Sequence, residues 1–448
     1  MVGVLADQFL RVATFGLAAT AMLVAAALTL AIANRSRRVE PLALGALGVT
    51  FAAFITVRSS PWLVWPDLFV SIALLGAAAS IAVRGSLLDV GVSEIAARAC
   101  HALVHLLAGI GFVASPLIDA RHRMAKAGPL ARGLLIATPI AVLITALLAS
   151  ADPVFASFLT LNVDIGQFLL DVVFVSIGVV GMAGLIRLAA AEPLDRINGP
   201  TWRLGTTEAL VVLAVLDAIF AAFALAQALA ATGAAAQTLR EAGTTYSDYA
   251  RNGFFQLLWV AGITLAVLVA LSRISRLSSR AFVALELVAI ALTMLIVFVA
   301  YRRLSLYEEA YGFTMLRLYS HIFAVWVAAV FLLLAADLLG VWRGRRWFAG
   351  AAAATALAVL LALNVLSPEA LVVGHNVERA HATQKLDTDY LASLSSDATP
   401  AMVNAMSVPG ISSQLRGAAC SGPKEYAPSL AAFNVADQAA AAARRADC

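Results

Sequence analysis

Three short polar segments interrupt an otherwise apolar chain, and their side chains are of the kind that binds charged ligands. The segments are SADPVF (150–155), YSDYARNGFFQLL (246–258) and LYEEAYGFTMLRLYSH (306–321). They supply the candidate site residues Asp152, Asp248, Arg251, Glu308, Glu309, Arg317 and His321. Positions three or four apart share a helix face, which pairs Asp248 with Arg251 and Arg317 with His321. Such a set could bind a charged small ligand, a metal ion or a peptide.

A structural role is the interpretation that the sequence favours for the same residues. Ion pairs and tyrosines are common where helices leave a membrane, and they hold helix ends together without any ligand. Glu308, Glu309 and His321 match no standard metal-ligand spacing, so no metal is predicted. The sequence also lacks the glycine patterns of nucleotide sites, an HExxH motif and a GxSxG motif with plausible partners. We therefore assign no catalytic residue and no cofactor.

The composition is that of a chain buried in lipid. Of its 448 residues, 62% are hydrophobic and 13% are charged, and the mean hydropathy is +0.89. Soluble domains are about 25% charged, so this chain has too few charges to cover a water-facing surface. Its apolar runs can cross a hydrocarbon core of about 30 Å as helices, and they do not alternate as barrel strands do. The implied partner is the lipid bilayer; the chain has no basic tract with interleaved aromatics, so no nucleic-acid partner is predicted.

The apolar runs predict an all-α, polytopic transmembrane helix bundle of about ten spans. The predicted spans are 12–33, 41–57, 62–83, 130–150, 167–190, 208–232, 253–272, 280–300, 319–341 and 348–366. We divide the chain into N-terminal transmembrane helices (1–84), a cytoplasmic interfacial segment (85–129), a main transmembrane bundle (130–366) and a tail (367–448). The first run is long for the apolar part of a signal peptide, so we treat it as a retained helix.

Lysines and arginines in short loops tend to face the cytoplasm, and this rule orients the predicted spans. It favours a surface position for the ambiguous run 98–118, because all the arginine-rich loops then face the cytoplasm. Those loops are 34–40, 119–132, 272–280 and 342–347. The alternative is an eleventh span, with one loop that violates the rule. In the ten-span topology the N-terminus, the three polar segments and the tail lie outside, and 301–318 is an external loop.

Charged residues inside predicted spans are costly in lipid, so they tend to face a bundle interior or a cavity. Asp217 lies near the middle of its predicted span and Asp171 near the outer end of another. Glu286 lies about two turns into a third. For Asp217 two interpretations stay open: a carboxylate that carries protons or coordinates ions, or a protonated packing residue. For Glu286 the packing interpretation is favoured.

The tail carries two of the three cysteines, Cys420 and Cys448, whereas Cys100 lies in the interfacial segment. If the tail is outside, Cys420 and Cys448 can form a disulfide in an oxidising compartment; two free thiols are the alternative. Residues 367–406 are predicted to be helical. Residues 407–448 are rich in Ser, Gly, Pro and Ala, and we predict that they are loosely ordered.

The three polar segments and the tail segment LDTDYLASLSSDATPAM (386–402) carry a family resemblance. From about Arg132 to Met402, the chain resembles a family of uncharacterised bacterial multi-pass membrane proteins, known as a domain of unknown function. The resemblance implies an integral protein of a bacterial cytoplasmic membrane. It implies no activity, so no site residue is carried over from it.

These observations support three functional hypotheses. The first is a protein that senses, binds or scaffolds at its outer face, with a small ligand or an envelope component as partner. The second is a secondary transporter of a small solute or ion that uses Asp217. The third is an intramembrane enzyme that acts on a lipid or envelope precursor, and it rests only on the outer carboxylates. The sequence favours the first hypothesis, and with it a protein that is not an enzyme.

Overall fold

The structure is a computed structural model that describes most of the chain. The described residues are 1–11, 15–33, 38–81, 165–190, 204–231, 246–274, 279–341, 347–383, 385–408 and 410–448, together with six residues of 98–105. The predicted span 130–150, the candidate residue Asp152 and most of the predicted interfacial segment 85–129 lie outside the described residues.

Helices, most of them long and apolar, form the bundle. They are α1 (Val2–Arg11), α2 (Leu17–Ala33), α3 (Val39–Val57), α4 (Pro61–Ser80), α5 (Ile165–Ala190), α6 (Thr206–Ala231), α7 (Tyr246–Ile274), α8 (Arg280–Tyr311), α9 (Met315–Leu338) and α10 (Phe348–Leu366). Within the described residues, α3 to α10 are eight helices long and apolar enough to cross a membrane, and α2 is a shorter apolar helix. About 20 residues, each rising about 1.5 Å, cover the hydrocarbon core. The predicted all-α polytopic bundle is confirmed.

The two ends of the bundle differ in what they contact. We call the end at which α10 enters the tail domain (Ser367–Cys448) the tail side, and the opposite end the far side. The α3–α4 turn lies on the tail side, because Arg58 donates to the carbonyl of Asn364 near the end of α10. The α8–α9 turn lies there too, because the N–H of Phe313 donates to Asn376 of the tail domain. The two helices of each of these hairpins therefore run in opposite directions.

Within the part of the chain that the structure describes, two apolar cores hold the bundle together. One lies among α2 to α5 and includes Ile55, and the other lies among α6 to α9 and includes Phe331. Lipid is as apolar as these side chains, so close packing is what favours contact between such helices. The contact of α1 with α5 illustrates this, because a Cβ at Gly178 would lie 2.6 Å from the Cβ of Ala6. Only glycine permits the two helices to approach so closely.

Residues 301–318, which were predicted to form an external loop, are mostly helical, so the prediction of a loop was wrong. Helix α8 continues to Tyr311 and α9 begins at Met315, which leaves Gly312–Thr314 as the connection. Gly312 has a φ of 84°, in the left-handed region that favours glycine. Hydropathy measures polarity and not helix formation, and the polar residues after the apolar part of α8 continue its helix. The candidate site residues of this segment therefore lie on two rigid helix ends.

The tail forms a helical domain with its own core. Its helices are α11 (Pro368–Thr383), α12 (Thr388–Ala392), α13 (Thr399–Ala405), α14 (Ser412–Cys420) and α15 (Val435–Asp447). Val373 and Leu415 are among its buried side chains. We predicted loose order for 407–448, but two of these helices lie there, because their alanines pack closely against the domain core. Cys420 and Cys448 are joined by a disulfide, with Cα atoms 5.7 Å apart.

Candidate functional site

The polar segment at 306–321 meets the tail domain in a cluster of one carboxylate and two imidazoles. Oε2 of Glu308, on the last turn of α8, lies 3.6 Å from Nδ1 of His321 on α9. Its Oε1 lies 3.3 Å from Nε2 of His375 on α11. Glu308 and His321 are largely buried, whereas the side chain of His375 is 54% exposed. We call Glu308, His321 and His375 the junction cluster, because it links the bundle to the tail domain and is open to solvent at His375.

Neighbouring side chains fix the geometry of this cluster. The guanidinium of Arg317 lies over the ring of Tyr307, 4.4 Å from the ring centroid, and donates to the carbonyl of Gly312. It thereby closes the α8–α9 turn. Nε2 of His321 lies 3.3 Å from the hydroxyl of Ser305, and its Nδ1 lies 3.0 Å from the carbonyl of Arg317. The imidazole of His321 is thus oriented from both of its nitrogens.

Two tail-domain side chains hold the α8–α9 turn by its backbone. Asn376 accepts from the N–H of Phe313 at 3.0 Å and donates to the carbonyl of Phe313 at 2.7 Å. The hydroxyl of Tyr390 accepts from the N–H of Met315 at 2.7 Å. Burial raises the pKa of Tyr390, so this hydroxyl stays neutral. N–H groups at a helix start have no partner within the helix, and here the tail domain supplies the partners.

A second contact ties the α3–α4 turn to the tail domain. Asp397 accepts from the N–H groups of Ser59 and Ser60, both at 2.8 Å, and faces the guanidinium of Arg58 at 3.4 Å. Arg58 also donates to the carbonyl of Asn364 at 2.8 Å, where the C-terminal end of α10 favours a positive charge. One buried arginine therefore connects a turn, a helix end and the tail domain.

Asn434 adds a third contact, from the last part of the tail domain. Its Nδ2 lies within hydrogen-bond distance of the carbonyls of Phe15 (3.2 Å), Ile55 (3.2 Å) and Arg58 (2.9 Å). Its Oδ1 accepts from the N–H of Ala436 and caps α15. Carbonyls at a helix end lack partners within the helix, so this amide completes the end of α3.

Glu369 is a buried acid beside the Asp397 contact. Its Oε2 accepts from the N–H and the hydroxyl of Ser395, at 2.9 and 2.6 Å. Burial raises the pKa of Glu369; the hydrogen bonds from Ser395 oppose this effect, and the charge of Asp397 adds to it. Glu369 therefore keeps its proton to a higher pH than a surface glutamate does.

A polar pair crosses between two spans beneath these contacts. Asn364 of α10 donates to Oδ1 of Asp67 on α4 at 2.8 Å, and both side chains are fully buried. Such hydrogen bonds link helices within lipid. Asp67 lies inside the predicted span 62–83, so the rule that selects Asp217 could have found it. Asn364 is uncharged and gives no such signal.

The predicted intramembrane carboxylates have different surroundings. Asp171 pairs with Arg11, which also contacts Asp7 at 2.8 Å, so it belongs to an ion pair between α1 and α5. Asp217 and Glu286 are buried. Neither carboxyl has a hydrogen-bond partner in the part of the chain that the structure describes. An ionisable side chain at this depth is costly in lipid, which makes Asp217 and Glu286 candidates for a functional role.

Asp217 and Glu286 lie at different depths. Helices α6 and α8 run parallel, because Gln227 near the tail-side end of α6 contacts Arg303 of α8 at 3.5 Å. Counting back from this contact places Asp217 level with Thr293, and Glu286 about 10 Å nearer the far side. The two carboxyls are therefore separate.

The structure describes the side chains of only some of the other candidate residues. Asp248 and Arg251 lie at the start of α7, where the backbone is helical, but their side chains are outside the described residues. Asp152 is also outside them, and Glu309 is exposed on α8. The candidates that the structure brings together are Glu308, Arg317 and His321.

The sequence analysis did not select the tail-domain residues that contact the α3–α4 and α8–α9 turns. Tyr390 and Asp397 belong to the segment LDTDYLASLSSDATPAM, and that membership was the available signal. No sequence signal pointed to His375 or Asn376, because their partners lie far away in the sequence. Asn376, for example, is 63 positions from its partner Phe313. Among the described residues, no group of three or more His, Cys, Asp or Glu side chains could hold a metal ion.

The helices and their junction define a class: a multi-pass membrane protein whose helical tail domain is docked on one end of the bundle. The chain belongs to the family described as a domain of unknown function (DUF4153), which matches residues 42–405. No curated protein and no solved structure matches the chain. The junction cluster and the Asp397 contact lie within the matched residues, whereas Asn434 and the disulfide lie beyond them.

Proposed function

We propose that the protein senses or binds at the junction between the bundle and the tail domain, on the outer face of the membrane. One observation carries this proposal. Glu308 faces His321 of the bundle at 3.6 Å and His375 of the tail domain at 3.3 Å. Each imidazole carries a positive charge only when it is protonated. A change of charge beside Glu308 therefore acts directly on the contact that docks the tail domain.

Protonation of the two imidazoles makes them ion-pair partners of Glu308. A partly exposed pair of this kind contributes roughly 0.2–1 kcal/mol. Among the described residues, Arg317 and Glu309 are the other charged groups that act on Glu308, and Arg379 lies beside Gly312. The proposed signal is acidification of the outer compartment, and the proposed response is tighter docking of the tail domain.

Hydrogen–deuterium exchange of the full chain in nanodiscs tests this function, because the N–H groups of Phe313 and Met315 donate to tail-domain side chains. We expect their protection factors, corrected for the intrinsic exchange rate, to rise about fivefold from about pH 8 to about pH 5.5. Glu308→Gln should abolish this rise. Glu309→Gln, which changes the exposed neighbour, is the matched control and should keep it. An unaltered rise in Glu308→Gln would refute the proposal.

We also propose that the tail domain is extracytoplasmic and that the far side faces the cytoplasm of a bacterial cell. Arg38, Arg273 and Arg280 lie at far-side helix ends, as expected of cytoplasmic ends. The disulfide between Cys420 and Cys448 supports an oxidising environment for the tail domain.

The direction of the helices supports the ten-span topology. Helix α4 ends at Ser80 on the far side, whereas α5 begins on the tail side, where Arg11 contacts Gln167. The chain must therefore pass from one side to the other between them. A single crossing by the predicted span 130–150 brings the chain from the far side to the tail side, provided that 98–118 lies on the membrane surface.

Cysteine labelling in whole cells tests the orientation. In a Cys100→Ser background, Glu425→Cys on the tail domain should react with a membrane-impermeant maleimide. Ser279→Cys at the start of α8 should react only after the cells are opened. The reverse pattern would overturn the orientation.

A second candidate function, a transporter of protons or small cations, rests on Asp217 and Glu286. Both are buried carboxyls without a hydrogen-bond partner among the described residues. Asp217→Asn should then abolish flux in reconstituted vesicles, whereas Glu208→Gln, an exposed position on the same helix, should not. Unchanged flux in Asp217→Asn would exclude this function. A sensor, in contrast, tolerates Asp217→Asn and fails with Glu308→Gln.

A further inference from the structure

A large cavity lies between α1, α2, α4 and α5, away from the junction cluster. Its volume is about 630 Å³. The described residues that line it are mostly apolar, and Leu10, Met22, Ile72 and Leu185 represent the four helices. Pockets that bind small molecules have volumes of about 300–1,000 Å³ and are mostly apolar, so the cavity is large enough for a ligand.

On α4 and α5 the cavity lining lies in the far-side half of the membrane, whereas Phe9 and Leu10 of α1 extend the cavity toward the tail side. Along α5 its lining runs from Ile177, near the middle of the helix, to Leu188, near its far-side end. These positions are separated by a rise of about 16 Å at about 1.5 Å per residue. This is about half of a hydrocarbon core of about 30 Å, which is the depth of one leaflet.

Positive charge is concentrated at the far-side end of the cavity. Arg98 lines the cavity there; it is 8% exposed, and its Nη1 lies 3.4 Å from the hydroxyl of Ser80. Close to the cavity, Arg38 donates to the carbonyl of the next residue, Ile81, at 3.0 Å, and it also lies 4.0 Å from Glu40. Arg187 lies on the same end of α5. An apolar cavity with a cationic end is complementary to an amphiphile that has a hydrocarbon chain and an anionic head.

We propose that this cavity binds one anionic phospholipid, with an acyl chain between the helices and the phosphate at Arg98. A guanidinium forms paired, charge-assisted hydrogen bonds with a phosphate, and basic pockets between transmembrane helices bind anionic head groups. The apolar walls exclude a polar solute, and along α5 the lining has the depth of one leaflet, which matches the length of an acyl chain. This lipid site is independent of the proposed sensing at the junction cluster.

Native mass spectrometry of the full chain, released from nanodiscs, tests the lipid site. The probes are phosphatidylglycerol and, as the lipid without net charge, phosphatidylcholine. We expect one retained phosphatidylglycerol per chain and no retained phosphatidylcholine. Arg98→Gln should lower the retained fraction about tenfold. Arg280→Gln removes an exposed arginine from the same side of the bundle and should retain the lipid.

A variant that fills the cavity provides a second test. Gly181 lines the cavity, and a Cβ there would meet no atom within 4 Å, so we expect the side chain of Gly181→Leu to extend into the cavity. Gly76 has the same two properties and supplies a second variant if the first does not fold. The control is Gly262→Leu on α7, which also meets nothing within 4 Å and is not among the described residues of the lining.

Thermal melting of each variant identifies those that are folded. Loss of the lipid in the Arg98 and cavity-filling variants, with retention in both controls, supports the proposal. Retention in folded Gly181→Leu or Gly76→Leu would overturn it. Equal retention of phosphatidylcholine would also overturn it.

Discussion

The guanidinium of Arg58 lies 3.4 Å from Oδ1 of Asp397, although 339 residues separate the two in the sequence. The side chains are 16% and 3% exposed, so the pair is largely buried. It links the α3–α4 turn of the bundle to the tail domain. Removing one partner of a buried pair leaves the other charge unpaired, and this costs about 3–5 kcal/mol.

We predict that Asp397→Ala lowers the free energy of unfolding of the tail domain by about 3–5 kcal/mol. The N–H groups of Ser59 and Ser60 lose their acceptor together with the partner of Arg58. Urea titration followed by hydrogen exchange of the tail domain measures the change. Asp389→Ala removes an exposed carboxylate from the same domain and should change it by less than about 0.5 kcal/mol. Equal effects of the two variants would contradict the importance of this contact.

We predict opposite effects for two glycine substitutions. Gly312 has a φ of 84°, and a Cβ there would lie 3.1 Å from Oδ1 of Asn376, so Gly312→Ala should destabilise by about 1–2 kcal/mol. Gly374 lies inside α11 and its Cβ would meet nothing within 4 Å. Gly374→Ala should therefore stabilise by about 0.5–1 kcal/mol. Thermal melting of both variants checks the pair, and a stabilised Gly312→Ala would show that the turn is not constrained.

Glu369 should make stability depend on pH. Burial raises its pKa in the folded state above the ordinary value of 4.5. The folded state then binds this proton more tightly than the unfolded state does. The stabilising contribution of Glu369 is therefore fully present below about pH 4.5 and is lost as the pH rises through the folded-state pKa.

Glu369→Gln isolates this contribution. We expect the free energy of unfolding of the natural chain, relative to that of Glu369→Gln, to decline as the pH rises above about 4.5. Urea titrations at several pH values provide the measurement. Glu378→Gln changes an exposed carboxylate on the same helix and is the control. A relative stability that rises with pH would show that the folded state favours the charged form.

The disulfide should stabilise the tail domain by closing a loop. The cysteines are 28 positions apart, and closing such a loop in the unfolded chain corresponds to about 3–4 kcal/mol. The double variant Cys420→Ser/Cys448→Ser should lose about that much stability. Cys100→Ser replaces an exposed free thiol and should have little effect. If a reducing agent leaves the unfolding of the natural tail domain unchanged, the disulfide does not stabilise it.

The spans were predictable because membrane thickness sets the length of an apolar run. The predicted span 348–366 coincides with α10, and 41–57 differs from α3 only at its start. The polar end of α8 was not predictable in this way, because charge and helix formation are independent properties. The predicted helical character of 367–406 is confirmed, whereas the two helices within 407–448 were missed, because a composition rich in Ser, Gly, Pro and Ala indicates loose order although a small core and a disulfide suffice to order these helices.

Only the part of the candidate site that lies on the bundle helices was predictable from the sequence. Spacing on a single segment brought Glu308, Arg317 and His321 to attention, because neighbouring helix ends keep them close. His375 and Asn364 find their partners only when distant helices pack, and no local spacing encodes such a contact. Asp67 shows that a rule about charge in lipid can find one member of a buried pair without its uncharged partner.

The contacts of Asn434 also determine when the α2–α3 hairpin can be completed during translation. Phe15 is translated 419 residues before Asn434, and Arg58 is translated 376 residues before it. The first helical hairpin therefore enters the bilayer with its terminal carbonyls still lacking this donor, and it keeps them so while the following helices are inserted. During biosynthesis this hairpin therefore receives its donor only after Asn434 has been translated. A nascent chain that stalls before Asn434 is inserted but incomplete, and the open end of that hairpin distinguishes it from the mature protein.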